Sequence, residues 1–305
     1  MRLRINELDY VISDKICALE TIMFFSDYYY EAYPFLKAPE YPLWSEIIGH
    51  CLPYRNHTAV ELFTEKAKTG FAFEKPYEYV LNDVSDDFGI ALDDYIKQTM
   101  LEGFLKDKQE ILAAIINQNV VMDVDVPKLL KEFYKTKENM PFEVYFLLGT
   151  GNGCGFGSRR TNGIRTALTG LFYIDNDMPV FLKRPESYDL LIHEFSHGFI
   201  NHIIDESDIE QDVLDKHYLS LTEDVKEIYG ATKSMVSEQV VRAVTIHLLA
   251  EHVDQDYAKQ KLEADKAWGF LLVEDICKLL RTKYDAVECS FQEFIENDVK
   301  ERLYQ

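Results

Sequence analysis

The chain has 305 residues, a net charge of −21, and 47% apolar and 13% aromatic content. That is enough apolar material for one large domain or two ordinary ones, and it excludes a disordered chain. The charge excludes nucleic-acid binding, because no basic stripe could offset it, and fits a protein that acts on neutral or basic substrates.

From Met1 to Tyr30, Asp9, Asp14, Lys15 and Glu20 interrupt the apolar residues, so neither a signal-peptide core nor a membrane span can be drawn there. A cytoplasmic location is expected if Met1 is the native start, and an exported one if an upstream signal has been removed. Five cysteines (Cys17, Cys51, Cys154, Cys277, Cys289) are odd in number and widely spaced, which points to reduced buried thiols and not to a disulfide framework or a cysteine zinc site.

Apolar periodicity predicts helices at roughly 7–30, 43–50, 57–69, 86–118 and 127–138, joined near Pro34–Pro42 by a short connection. The aromatic cluster Phe24, Phe25, Tyr28, Tyr29, Tyr30 and Tyr33 reads as core and helix-packing surface, with a groove lining as the alternative. Two strand-like runs follow, Phe142–Leu148 and Ala167–Ile174. Between them, Gly149 to Gly157 holds five of the chain's fourteen glycines. A phosphate loop fails there: no Gly-Lys-[Ser/Thr] follows, the G-x-G-x-x-G spacing is absent, and a strand comes next. A mobile or closely approaching loop at the rim of a cleft is expected, with Arg159 and Arg160 solvated or meeting a substrate carboxylate.

No proline follows Pro185, and the remainder reads as mostly helix. Pro185, Glu186, Ser187 and Asp189 form a helix start. On that helix stands His193-Glu194-Phe195-Ser196-His197, an H-E-x-x-H motif. Residues i and i+4 share a helix face, so both imidazoles can address one metal ion, with Glu194 placed to reach a water there. A helix with two satisfied histidines is the bland alternative. Against it stands the flanking sequence: no charged residue other than Glu194 lies between Leu190 and Asn201, so the helix is mostly buried and its polar groups need partners.

A catalytic zinc site usually has three protein ligands. Ile200 and Ile203 exclude the metzincin completion, and His202 should point elsewhere around the helix. The acids from Asp205 to Glu227 lie in a polar, loop-like setting. Glu238 instead lies on the apolar helix Met235–Val244 and forms a polar stripe with Arg242 and Thr245. It is the favoured third ligand, with an i,i+4 Glu–Arg surface pair as the plain alternative.

H-E-x-x-H on one helix with Glu on a second resembles the gluzincin plan of zinc metallopeptidases. More narrowly, His193 to Asn201 together with Glu238 to Ala243 is similar to a bacterial family of gluzincin-type peptidases carrying H-E-F-x-H-x-F-x-N and E-x-x-x-R-A. The likeness covers roughly residues 140–250. The thermolysin-like N-E-x-x-S-D signature is absent: Ser237 replaces its Asn, and Arg242 falls where its Asp would be. The order of strands, motif helix and further helices predicts an α+β, mostly α-helical fold with a small antiparallel sheet beside the H-E-x-x-H helix and a helical N-terminal region (1–140); the resemblance implies that residues 141–305 form a zincin-like catalytic domain. It implies Zn²⁺ held by His193, His197 and Glu238, and Glu194 as general base. The oxyanion donor is open among Arg242, Tyr218, Tyr229 and His247; Arg242 is favoured, though it could simply neutralise Glu238. Asn201 is expected to face the same cleft. The partner implied is a peptide or protein substrate. A catalytically inactive or non-proteolytic metal-binding protein is the competing reading.

Overall fold

The computed structural model describes all residues except Ala72, Val121, Met122, Glu138, Asn139, Cys154, Arg160 and Thr161, together with the side chains of Ser158 and Arg159. The readings on Cys154, Arg159 and Arg160 therefore lie outside the described side chains. The chain forms two compact units, residues 1–121 with 140–183, and residues 122–139 with 184–305.

Unit 1 opens with a hairpin, β1 (Arg2–Ile5) and β2 (Leu8–Val11), where the periodicity predicts helix from residue 7. Asn6 takes the left-handed conformation (φ 54°) at its turn, which Asn tolerates better than most residues. Eight α-helices follow among the described residues: α1 (Asp14–Phe25), α2 (Tyr28–Ala32), α3 (Pro42–Cys51), α4 (Thr58–Lys68), α5 (Lys75–Leu81), α6 (Asp87–Thr99), α7 (Leu101–Asp107) and α8 (Gln109–Gln118). The single helix predicted over 86–118 is three. Met100 stands at φ 51° between α6 and α7, and that left-handed residue ends the first of them.

Helix α1 is the centre of this unit, buried from Ile16 to Met23, and α3 to α7 pack around it. Such a helix has no polar face because it has no solvent face. Tyr29 and Tyr30 are buried in the core, as predicted for the aromatic cluster, whereas Tyr28 is exposed.

The strands β3 (Phe142–Leu147), β4 (Gly155–Arg159) and β5 (Arg165–Gly170) join the hairpin in one sheet of order β1-β2-β3-β5-β4. Its β2–β3 and β3–β5 pairs are parallel, so the sheet is mixed where an antiparallel one was expected. The parallel pairs arise because β3 docks on the N-terminal strand, with Leu8 opposite Phe142. This also places residues 142–180 with the N-terminal helices, not with the C-terminal part as the boundary at 140/141 expected. A separate hairpin, β6 (Tyr173–Asp175) and β7 (Met178–Val180), follows. Asn119, after α8, secures it: its amide donates to Pro179 O at 3.1 Å and accepts from the N–H of Phe181 at 2.7 Å.

The glycine-rich segment is a closely packed element. A Cβ on Gly149 would lie 2.6 Å from the Trp44 ring. Tyr30 and Tyr41 donate their hydroxyls to the carbonyls of Gly149 and Leu148. Glu20 accepts from Gly149 N and Thr150 Oγ1, both at 3.0 Å.

Unit 2 is helical: α9 (Val126–Phe133), α10 (Glu186–Glu206), α11 (Gln211–Leu219), α12 (Glu223–Tyr229), α13 (Lys233–His252), α14 (Gln255–Ala267), α15 (Leu272–Leu279), α16 (Phe291–Phe294) and α17 (Lys300–Leu303). The proline-free tail is thus mostly helix, as predicted. Helix α13 is buried from Met235 to Leu249, with α10, α14 and α15 packed around it. Helix α9 lies against α10, where Tyr134 stacks on Phe199 with ring centroids 4.2 Å apart. Among the described residues, no helix is long and apolar enough to cross a membrane.

Candidate metal centre

The two helices with the most extensive mutual packing in unit 2, α10 and α13, are the ones that carry the motif and Glu238. Their apolar residues, Leu191, Ile192, Phe195 and Ile200 on α10 and Val236, Val240, Val241 and Val244 on α13, are buried and hold the pair together. The polar residues at i, i+4 spacing are consequently brought into a protein-lined setting. The His193 and His197 side chains are 14% and 18% exposed, and that of Glu238 is 4%.

His193 Nε2 and His197 Nε2 lie 3.2 Å apart. Glu238 spans them, with Oε1 3.5 Å from His193 Nε2 and Oε2 3.5 Å from His197 Nε2. The group meets the spacing test for a divalent cation among its members, every ligand atom lying within 4.8 Å of the others. Bonds of about 2.0–2.1 Å in a tetrahedron put neighbouring ligand atoms about 3.3 Å apart, close to the separations here. Asn201 Oδ1 lies 3.1 Å from His197 Nδ1, the far side of that ring. An Asn oxygen there favours the tautomer with the proton on Nδ1, which leaves Nε2 free to donate a lone pair.

Charges within the group oppose and support one another. Burial favours the neutral form of His193, but the Glu238 charge and contact outweigh it and raise the imidazole above the usual histidine value. Burial, then the neighbouring His193, push His197 down to about 4. Glu194 is raised to about 7, chiefly by burial, against the attraction of His193. Burial would also raise Glu238; Arg242 first and His193 second hold it well below the carboxylate range instead.

Arg242 is the cause. Its Nε lies 2.7 Å from Glu238 Oε1, a charge pair in which the N–H is not aimed at the oxygen. Its Nη1 donates to Asp265 Oδ1 at 2.5 Å. The guanidinium rests on Phe270 at 4.3 Å and on Trp268 at 5.4 Å from the ring centroids. Tyr229, at the end of α12, brings its hydroxyl to Arg242 and Glu238; burial, then the Glu238 charge, raise its pKa.

Of the sequence-predicted site residues, His193, His197, Glu238, Arg242 and Tyr229 meet, with Glu194 and Asn201 beside them. His247 does not join them: its Nε2 pairs with Asp285 at 3.1 Å. Tyr218 has Lys226 over its ring, and His202 is exposed. Asp265 was not foreseen. Neither were Tyr257 and Lys261, which reach Asp189 on α10 at 3.0 and 2.9 Å. The spacing Tyr257, Lys261, Asp265 marks one face of α14 and was the signal available for all three.

Residues 164–296 match a family described as a domain of unknown function, DUF4932. The matched span contains every residue of the group described above. No curated protein and no solved structure matches the chain.

Proposed function

We propose that this protein is a zinc-dependent metallopeptidase that uses His193, His197 and Glu238 as ligands and Glu194 as general base. One observation carries the reading: three donor atoms of the type zinc prefers converge from two buried helices at separations of 3.2–3.5 Å. When bound, zinc supplies a Lewis acid and lowers the pKa of an attacking water to about 7.

This chain's residues supply the remainder. Glu194 takes a proton from the attacking water on its carboxylate and returns it to the departing amine, so a peptide and one water give an acid and an amine. Asn201 orients His197 through Nδ1. Arg242 neutralises Glu238 and holds it ionised. The Tyr229 hydroxyl, next to both, is placed to donate toward a substrate oxygen.

A second reading, a metal-binding protein without peptidase turnover, draws on the same Arg242. Its guanidinium is engaged by Glu238 and Asp265, which favours the neutralising role over service as oxyanion donor. The test is metal analysis of the purified chain followed by a peptide-library digest. About one zinc per chain is expected, lost in His193→Ala, with cleavage abolished by chelator and reduced at least about 100-fold in a zinc-loaded Glu194→Gln. Full activity in that variant would remove the general-base role. Zinc binding with no cleavage of any peptide would favour the second reading.

A further inference from the structure

We propose that Asp265 is a positioning residue that sets the charge of the metal centre through Arg242; this rests on reading His193, His197 and Glu238 as that centre. Three buried charges stand in a row. Glu238 is 3% exposed, Arg242 9% and Asp265 1%. Contacts of 2.7 and 2.5 Å link them through Arg242.

Consider the row without its last member. Glu238 and Arg242 alone would sum to zero, and a neutral carboxylate–guanidinium pair offers a dication little. The same guanidinium would also compete with the cation for Glu238 Oε1. Asp265 restores a net charge of −1 and draws the guanidinium from its other end. The rings of Phe270 and Trp268 keep Arg242 from swinging to another partner. Asp265 is not itself within the ligand group; it contacts Arg242, which contacts Glu238.

Placement supports the assignment. Helix α14 presents Tyr257, Lys261 and Asp265 four residues apart. The first two fasten Asp189, one turn before His193, and the third fastens Arg242, one turn after Glu238. One helix thereby makes a polar attachment beside each side of the ligand group. Among the described residues Asp265 Oδ2 has no hydrogen-bond partner, and Arg242 is the contact of Oδ1 at bonding distance. A buried acid with half its hydrogen bonds unmade is costly unless its charge is used.

The test measures Zn²⁺ affinity of the full chain by competition with a chromogenic chelator, with folding followed by circular dichroism in excess chelator. Asp265→Asn is expected to weaken zinc binding about 10- to 100-fold. The double variant Arg242→Met/Asp265→Leu removes one charge of each sign and is expected to bind zinc more tightly than the single variant, recovering part of the lost affinity. A merely structural role would not produce that recovery. Asp265→Ser makes the same charge change with room for a water, and substitutes if Asp265→Asn does not fold. Equal affinity in the parent and the folded single variant would overturn the proposal alone, as would a double variant no better than the single. A parent chain that takes up no zinc would overturn the metal-centre reading, and this proposal with it.

Discussion

Each unit buries a glutamate on an apolar helix, and the two are stabilised in opposite forms. Glu20 on α1 has no cation at contact distance among the described residues; it accepts from Gly149 N and Thr150 Oγ1, and burial pushes its pKa up to about 8. Glu238 on α13 has Arg242 at 2.7 Å and is held well below the carboxylate range despite burial. The first is a neutral acid that ties down a glycine-rich segment. The second is an anion available to a cation. Burial alone therefore does not identify a ligand. The adjacent guanidinium separates the two cases, because it keeps the carboxylate ionised at neutral pH.

The largest expected effect comes from removing that guanidinium. Arg242→Met leaves Glu238 and Asp265 buried without their counter-charge and should cost about 3–5 kcal/mol, read from urea unfolding in excess chelator. A loss below 1 kcal/mol would mean that the two acids are not held as ions by Arg242. The next effect is a change of slope. Unfolded Glu20 ionises near 4.5, whereas the folded group keeps its proton to about 8. The folded state binds more protons in that window, so stability falls as pH rises through it. Glu20→Gln should flatten that fall by about 1–3 kcal/mol between pH 5 and 8, with little change at pH 4. An unaltered slope would show that Glu20 is ionised in the folded protein and that the contrast is false. The smallest effect is Thr150→Val, which removes one donor to Glu20 and the contact with Tyr77, for about 1 kcal/mol. It should leave zinc affinity unchanged, since the residue belongs to the other unit.

Much of this was legible from periodicity. A spacing of four placed His193 and His197 on one face, and the apolar setting of Glu238 marked it as an acid that needed a partner. The spacing of Tyr257, Lys261 and Asp265 marked one face of α14 but did not single out Asp265, because Gln255–Ala267 is a strongly polar stretch that reads as a solvated helix. Its burial depends on α13 being wrapped on several sides, which is a tertiary fact. The β1–β2 hairpin was missed for a related reason. Arg2-Leu3-Arg4-Ile5 alternates with period two, but four residues are too few to outweigh the helical pattern behind them. The sheet's parallel pairs were hidden because their partners are far apart in sequence.

That distance bears on how the chain can be made and divided. Strand β2 ends at Val11, and its parallel partner begins at Phe142. During synthesis the early hairpin must wait for β3 and β5 with one edge unpaired, while α9, a piece of the other unit, is delivered in between. A fragment cut at residue 140 would keep that open edge permanently, and an expression experiment with such a piece would report aggregation before it reported on chemistry. Slow, long-range closure of this kind also favours the full-length chain as the unit for mutagenesis, whichever half carries the substitution.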